Sequence, residues 1–416
     1  MSETAYLNVF FGTELVGRVC DTEPLSFEYS EAWLADPQTM QISNIAKQPG
    51  SNSSRFVLAF FDNLLPEGAL REYVARKHKV STVYGLLAAV AGDSAGGMVL
   101  LPPGQQPGVS GYEPTTWAAL ARKLREGSGI QAADIKGDQA RISLSGAQDK
   151  ALIYIDAKGN PAIPKGTSPS THILKPDIRR LEGVWHSAAN EALVMRAASL
   201  CGLSAAEVFY EPMTQACIVK RFDRYDEGNG ILARLVQYDL CQLDGIESSK
   251  KYETEGGPGV RRCAELIRRY SSTPAPDLEL FLRSIFFNLC FGNNDGHAKN
   301  LAIMALRSRE VRLAPLYDLT CTRIYPGLSQ SFAFRIGGED KPGRIGREHV
   351  EAMARELRMG TRFVLELAQD VASRALEAAK AANEQLLPAF EHSASELASR
   401  ILSRVKELAL GFQKRL

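Results

Sequence analysis

The chain has 416 residues, enough for two or three packed units, and carries 49 Lys+Arg against 48 Asp+Glu for a formal net charge of +1. So even a balance excludes a global basic field for nucleic acid, although RKLR at 122–125 and RSR at 307–309 remain local basic candidates. Seven single cysteines with no CxxC pair argue against a disulfide framework or a zinc site, no run approaches the ~20 apolar residues of a membrane span, and the N-terminus has no signal-like segment. A soluble, cytoplasmic protein with reduced thiols is expected.

In chain order, AYLNVFFG, ELVGRVC and LSFEYS (5–30) alternate in the strand manner around a turn at 12–14, which predicts a meander. Helix periodicity follows from 53 to 78, interrupted by Pro66, and VYGLLAAVAG reads as a short buried helix. LPPGQQPGVSGYEP (101–114), rich in Pro and Gly, is the linker candidate. From about Arg141, ARISLSGAQDKALIYIDAKGNPAIPKG reads as strand, tight loop, strand, turn and strand, and THILKP adds a short strand ending at Lys175. HSAANEALVMRAASL (186–200) is a predicted helix, followed by strands in VFYEP and ACIVKRFDR. Beyond Tyr238 the chain turns mostly helical, and residues 348–416 keep helix spacing. The expectation is an α+β fold with units over 1–107, 108–237 and 238–416. A sheet with one helix laid on it, feeding a helical remainder, is the order of a two-lobed protein-kinase-like fold.

GNNDGHAKN (292–300) places an Asp and an Asn five positions apart, after the apolar helix LFLRSIFFNLCF (280–291) and before a hairpin predicted from LAIM (301–304) and VRLA (311–314). In kinases the Asp of such a loop accepts the proton of the attacking hydroxyl, and the Asn holds Mg²⁺ against the ATP phosphates. Asp295 and Asn300 fit those roles, and PLYDLT sets Asp318 as a second metal-binding carboxylate. The spacing alone more often marks an ordinary loop closure, so its weight comes from its company. A phosphotransferase also needs a cation on the phosphates; Lys175 ends the strand HILK, and Glu191, in the next helix, is the carboxylate to orient it. Read singly, these two would be an exposed strand-end lysine and a solvated helix position. The phosphate-covering loop would be SLSGAQDK (143–150), which has one glycine and matches neither GxGxxG nor a Walker A sequence. By pattern alone it is a β-hairpin loop, able to cradle phosphate only through a few backbone amides and Gln148.

The ordered strings ISLSGAQDK, IPKG, HILK, KRFDR, RLVQYDLCQ, KYETEGGPG, GNNDGHAKN and PLYD resemble the HipA family of bacterial serine/threonine kinase toxins, from about residue 5 to the C-terminus. The resemblance implies ATP and Mg²⁺ as cofactors, Asp295 as catalytic base, Asn300 and Asp318 as metal ligands, and Lys175 on the phosphates. It places Gly146, Ala147, Gln148 and Lys150 over the nucleotide, Lys220 and Phe222 at the adenine hinge through their backbones, and Gln237, His297 and Tyr317 in nucleotide contact. Relatives often have Glu at the Lys220 position and an acidic residue at that of Tyr238, while Asp239 is kept. Ser143 falls where full-length relatives autophosphorylate, and Ser145 lies two residues on. The N-terminal hundred residues resemble the subdomain that caps the N-lobe of full-length members. Implied partners are a HipB-like helix-turn-helix antitoxin, which would bring this chain to DNA indirectly, and a protein substrate of the aminoacyl-tRNA synthetase class; no membrane is implied. Two other readings are a weakly active pseudo-kinase acting as structural co-repressor with its antitoxin, and a small-molecule kinase.

Overall fold

The computed structural model describes residues 4–90, 93–94, 96–126, 142–143, 150–179, 181–228 and 232–416. The chain forms two units interleaved in sequence, one from 1–174, 221–250 and 304–308, the other from 175–220, 251–303 and 309–416.

In the first unit the alternating N-terminal segments pair as the meander their pattern predicts. Tyr6–Phe11 runs antiparallel to Glu14–Cys20, which pairs with Ser26–Tyr29, and Met98–Leu101 joins the other side of the first strand. Leu7, Val9, Val19 and Phe27 alternate into one core, the register shift that skips Val16 in the pairing of the first two strands brings that residue in as well, and they meet Val57, Phe60 and Phe61 of the helix Arg55–Asp62. The periodic run ahead of His78 is two helices, Arg55–Asp62 and Gly68–His78, with Pro66 in the break; a proline there removes a helix donor. Tyr238 packs edge-on against Phe60, with centroids 5.7 Å apart, so its phenol is used in packing. Asp239 caps the short helix Leu240–Asp244, exchanging hydrogen bonds with Gln242.

Two features of this unit were not read from the sequence. Part of the Pro/Gly-rich stretch forms a strand, Val109–Pro114, antiparallel to Pro161–Gly166. It lies at the edge of its sheet, where Pro114 displaces no central ladder bond. The helix Trp117–Glu126 carries the RKLR patch, with Leu120, Ala121 and Leu124 buried while Arg122, Lys123 and Arg125 face solvent. In KRFDR, Asp223 takes the Nη2 of Arg221 and the Nη1 of Arg224, each at 2.7 Å, and both arginines also donate to the Ser94 carbonyl. All three side chains are buried, so this cluster is a structural knot. The strand of Ser94 pairs in parallel with Ile142–Ser143, with Ser94 opposite Ser143.

The second unit is helical around Pro274–Phe291. This helix is too apolar to have a solvent stripe and buries Phe281, Ile285, Phe286, Phe287, Leu289 and Phe291. Packed in the same unit are Ser187–Leu200, Thr361–Leu386 and His392–Arg415. The face of Thr361–Leu386 is largely alanine (Ala368, Ala372, Ala375, Ala379 and Ala382), so neighbouring helices approach closely. An antiparallel hairpin, Val208–Glu211 with Ala216–Lys220, completes the unit on the N-terminal side. Strands Ala302–Ala305 and Val311–Leu313 lie where a hairpin is predicted, and the Ala314 amide donates to the Ala302 carbonyl at 2.8 Å. All seven cysteines are free thiols, and no helix of the described residues is long and apolar enough to cross a membrane.

Candidate active site

The apolar helix ends at Gly292, whose φ of 64° is the left-handed conformation that glycine adopts without cost. A Cβ there would lie 3.0 Å from Leu408 Cδ1 and 3.1 Å from Arg323 Cβ. The loop that follows is held by side chain to main chain bonds. Asn293 Oδ1 accepts from the Asp295 amide at 3.1 Å, and the Asn294 amide donates to Thr322 Oγ1 at 2.9 Å. Gly296 lies against Asn288, where a Cβ would collide with Asn288 Nδ2, so a side chain would disturb the buried Asn288–Asn293 amide pair. The Asn300 side-chain amide donates to the Asp295 carbonyl at 3.0 Å, closing the five-residue loop on itself. Asp295 is thus fixed by its backbone while its carboxylate stays half exposed, with Oδ1 3.9 Å from His297 Nε2.

Lys175 is buried at the end of His172–Lys175, and its Nζ donates to Glu191 Oε1 at 2.6 Å and to Asp318 Oδ1. Burial alone would lower its pKa, but the Asp318 and Glu191 carboxylates outweigh it and hold the ammonium charged well above the ordinary lysine range. Glu191 is held by its helix; the adjacent Asn190 pairs with both the amide and the carbonyl of Cys321, tying this helix to the segment after Asp318. Asp318 has a φ of 56°, and the strand-like pairing of Ala205 with Leu316 fixes the chain just before it. The Tyr317 hydroxyl donates to the Lys299 carbonyl at 2.9 Å, so the residues before Asn300 and before Asp318 are joined. One unit therefore brings together Lys175, Glu191 and Asp318, and links Asp318 through Tyr317 to the loop of Asp295, His297 and Asn300.

The remaining candidates fall elsewhere. The Lys220 amide is committed to the Glu207 carbonyl at 2.9 Å and its ammonium to Glu207 Oε2 at 2.8 Å. Lys150, Phe222 and Gln237 belong to the first unit; Lys150 is buried, Phe222 is half-buried, and Gln237 Oε1 is buried with no hydrogen-bond partner among the described residues. Gly146, Ala147, Gln148 and Ser145 lie outside the described residues, and Ser143 is described only as part of its short strand. The residue sequence reasoning missed is Tyr252, quoted only within KYETEGGPG: its hydroxyl donates to Asp295 Oδ1. Nothing in local spacing signals it, because the contact spans 43 positions.

The donor set suits Mg²⁺. Asn300 spends its amide N–H on Asp295 and keeps Oδ1 as an acceptor, and the Asp318 carboxylate is partly exposed, so both offer hard oxygens. Among the described residues no three His, Cys, Asp or Glu side chains cluster for a metal. A Mg²⁺ that takes its other ligands from phosphate and water needs no such cluster.

Fold and site together define a kinase-like α+β protein. A family model described as HipA-like C-terminal domain matches residues 142–381, and one described as HipA N-terminal domain matches 7–101. The chain is 36% identical over 376 residues to the protein named "Putative kinase Y4mE" of Sinorhizobium fredii, covering 86% of this chain and 87% of that one. It is 26% identical over 432 residues to the serine/threonine-protein kinase toxin HipA of Shewanella oneidensis, covering 99% and 97%. The solved Shewanella oneidensis HipA, in complex with HipB and operator DNA, superposes with a TM-score of 0.83 over 98% of both chains at 24% identity, which shows the shared fold. The chain belongs to the HipA family.

Proposed function

We propose that this chain is an ATP- and Mg²⁺-dependent serine/threonine protein kinase, the toxin of a toxin–antitoxin pair. The observation that carries the reading is the buried Lys175 between Glu191 and Asp318, linked in the same unit to the Asp295 loop. Phosphoryl transfer is catalysed almost entirely by positioning and by neutralising charge. Mg²⁺, held by Asn300 and Asp318, would supply charge neutralisation on the transferring phosphoryl group. Lys175 is an obligate cation whose partner Asp318 can be exchanged for a phosphate oxygen, with Glu191 keeping the ammonium in place. Asp295, fixed through its amide and carbonyl, orients the acceptor hydroxyl and takes its proton.

The partner reading rests on family membership and on the solved relative, which carries HipB and operator DNA. A helix-turn-helix antitoxin is the expected partner here, with DNA reached through it, an aminoacyl-tRNA synthetase the substrate class, and the cytoplasm the site of action. Autophosphorylation is assigned to Ser143, with Ser145 as a second acceptor. A phosphoserine carries about −1.5 to −2 charges at neutral pH and would repel bound ATP. The test is titration calorimetry with Mg-ATP followed by mass spectrometry of wild type and Asp295→Asn. Binding by both, with phosphate gained at Ser143 by wild type and the rate reduced on the order of 10²–10⁴-fold in the variant, is expected. Equal phosphorylation in a folded Asp295→Asn protein would overturn the assignment.

A further inference from the structure

The general base of a kinase presents a carboxylate oxygen to the incoming hydroxyl, and in this chain one of the two oxygens of Asp295, Oδ1, already has a hydroxyl donor. Tyr252 donates its phenol hydroxyl to Asp295 Oδ1, the same oxygen that faces His297 Nε2 at 3.9 Å. The phenol ring stands edge-on to the His297 imidazole, with centroids 4.9 Å apart and planes at 85°. Its backbone is anchored as well. The Tyr252 carbonyl accepts from the amides of Glu255 and Gly257 at 3.0 and 2.9 Å, closing a tight turn, and the neighbouring Glu253 carboxylate accepts the Arg335 amide at 2.7 Å. The donor on Asp295 is thus a hydroxyl on a braced turn, in the relation to the base that a phosphate acceptor would have.

We propose that Tyr252 is a built-in occupant of the acceptor position, which holds Asp295 Oδ1 against water and is displaced when a serine or threonine hydroxyl arrives. The inference rests on the kinase reading and adds a regulated acceptor site to it. In the transfer step the acceptor oxygen forms a bond to Pγ, and the bond from Pγ to the bridging oxygen breaks with its electron pair leaving on ADP. The acceptor proton passes to Asp295. A hydroxyl already bonded to Oδ1 takes the place that water would need there for the last event. Removing the hydroxyl therefore has a sign opposite to that of losing a supporting residue: hydrolysis of ATP should rise.

Two readouts test this. In protein labelled with 3-fluorotyrosine and without nucleotide, the ¹⁹F resonance assigned to Tyr252 by its loss in Tyr252→Phe should move in Asp295→Asn. With Mg-ATP and no protein acceptor, Tyr252→Phe should release inorganic phosphate faster than wild type, on the order of tenfold, the scale of one lost hydrogen bond to a charged group. Wild-type nucleotide affinity with unchanged or slower hydrolysis in Tyr252→Phe overturns the occupant role and leaves the kinase reading standing, as does a resonance indifferent to Asp295→Asn. Failure of the wild type to bind Mg-ATP by calorimetry overturns the kinase reading, and this inference with it.

Discussion

At the scale of single residues, the site is a set of charges whose burial decides what each substitution does. Lys175→Met leaves the Glu191 carboxylate buried without its ammonium, a change expected to cost about 3–5 kcal/mol, read as a lowered urea midpoint. The native lysine holds its proton more tightly than the unfolded one. Its contribution is therefore whole below the ordinary lysine value of ~10.4 and declines as pH rises from there through the elevated native value, so the gap between wild type and Lys175→Met should hold steady up to pH ~10 and narrow above it. Asp318 shows a second constraint, since its left-handed φ of 56° disfavours residues other than Gly, Asn and Asp. Asp318→Asn and Asp318→Ala should both lose phosphotransfer and part of the stability of the buried Lys175 pair, and Asp318→Ala should be less stable than Asp318→Asn by about a further 1–2 kcal/mol, the cost of the left-handed backbone. Calorimetric melting of the two variants checks this. At this scale Asp295, Asn300 and Asp318 were legible because loop spacing and residue type carry them. Tyr252 was not, because its only signal is a contact across 43 positions.

Secondary elements decide whether these residues keep their places. Asp277, in the first turn of Pro274–Phe291, is buried and accepts from Ser271 Oγ at 2.6 Å, from the Arg312 guanidinium at 3.0 Å and from the Leu313 amide at 2.8 Å. It anchors the helix before the Asp295 loop to the strand Val311–Leu313, which leads to Asp318. Asp277→Ala removes one member of a buried, hydrogen-bonded charge pair, and a loss of about 3–5 kcal/mol in chemical denaturation is expected, with phosphotransfer reduced in the protein that remains folded. Helix and strand periods made most elements readable, including the break at Pro66 and the apolar helix ending at Gly292. The edge strand Val109–Pro114 was hidden because Pro and Gly in sequence signal a linker, while a sheet edge tolerates both. The helix Trp117–Glu126 was hidden because attention to its charges obscured the spacing of Leu120, Ala121 and Leu124.

For the molecule as a whole, the thiols offer a global measure of integrity. Six of the seven cysteines are buried and Cys20 is half-buried. Burial raises the Cys20 thiol above its usual value, and pushes those of Cys201 up to about 11 and Cys321 up to about 12. At pH ~8 a colorimetric thiol reagent should label at most Cys20, slowly, and all seven only on unfolding; rapid native labelling of several would contradict the packing. Family membership was readable from ordered motifs, but the division into units was not, because it depends on which distant segments pack together. That division reaches into the synthesis of the chain, which passes from one unit to the other five times. A ribosome that has made 250 residues has delivered neither unit in full: the first waits for residues 304–308, and the second for the helices that end at Arg415. Lys175 leaves the exit tunnel long before Asp318, so its ammonium has no Asp318 to meet until most of the message is read. On the kinase reading, a chain built this way carries no assembled Lys175–Asp318 pair for most of its own translation, and a copy terminated before Asp318 never gains one.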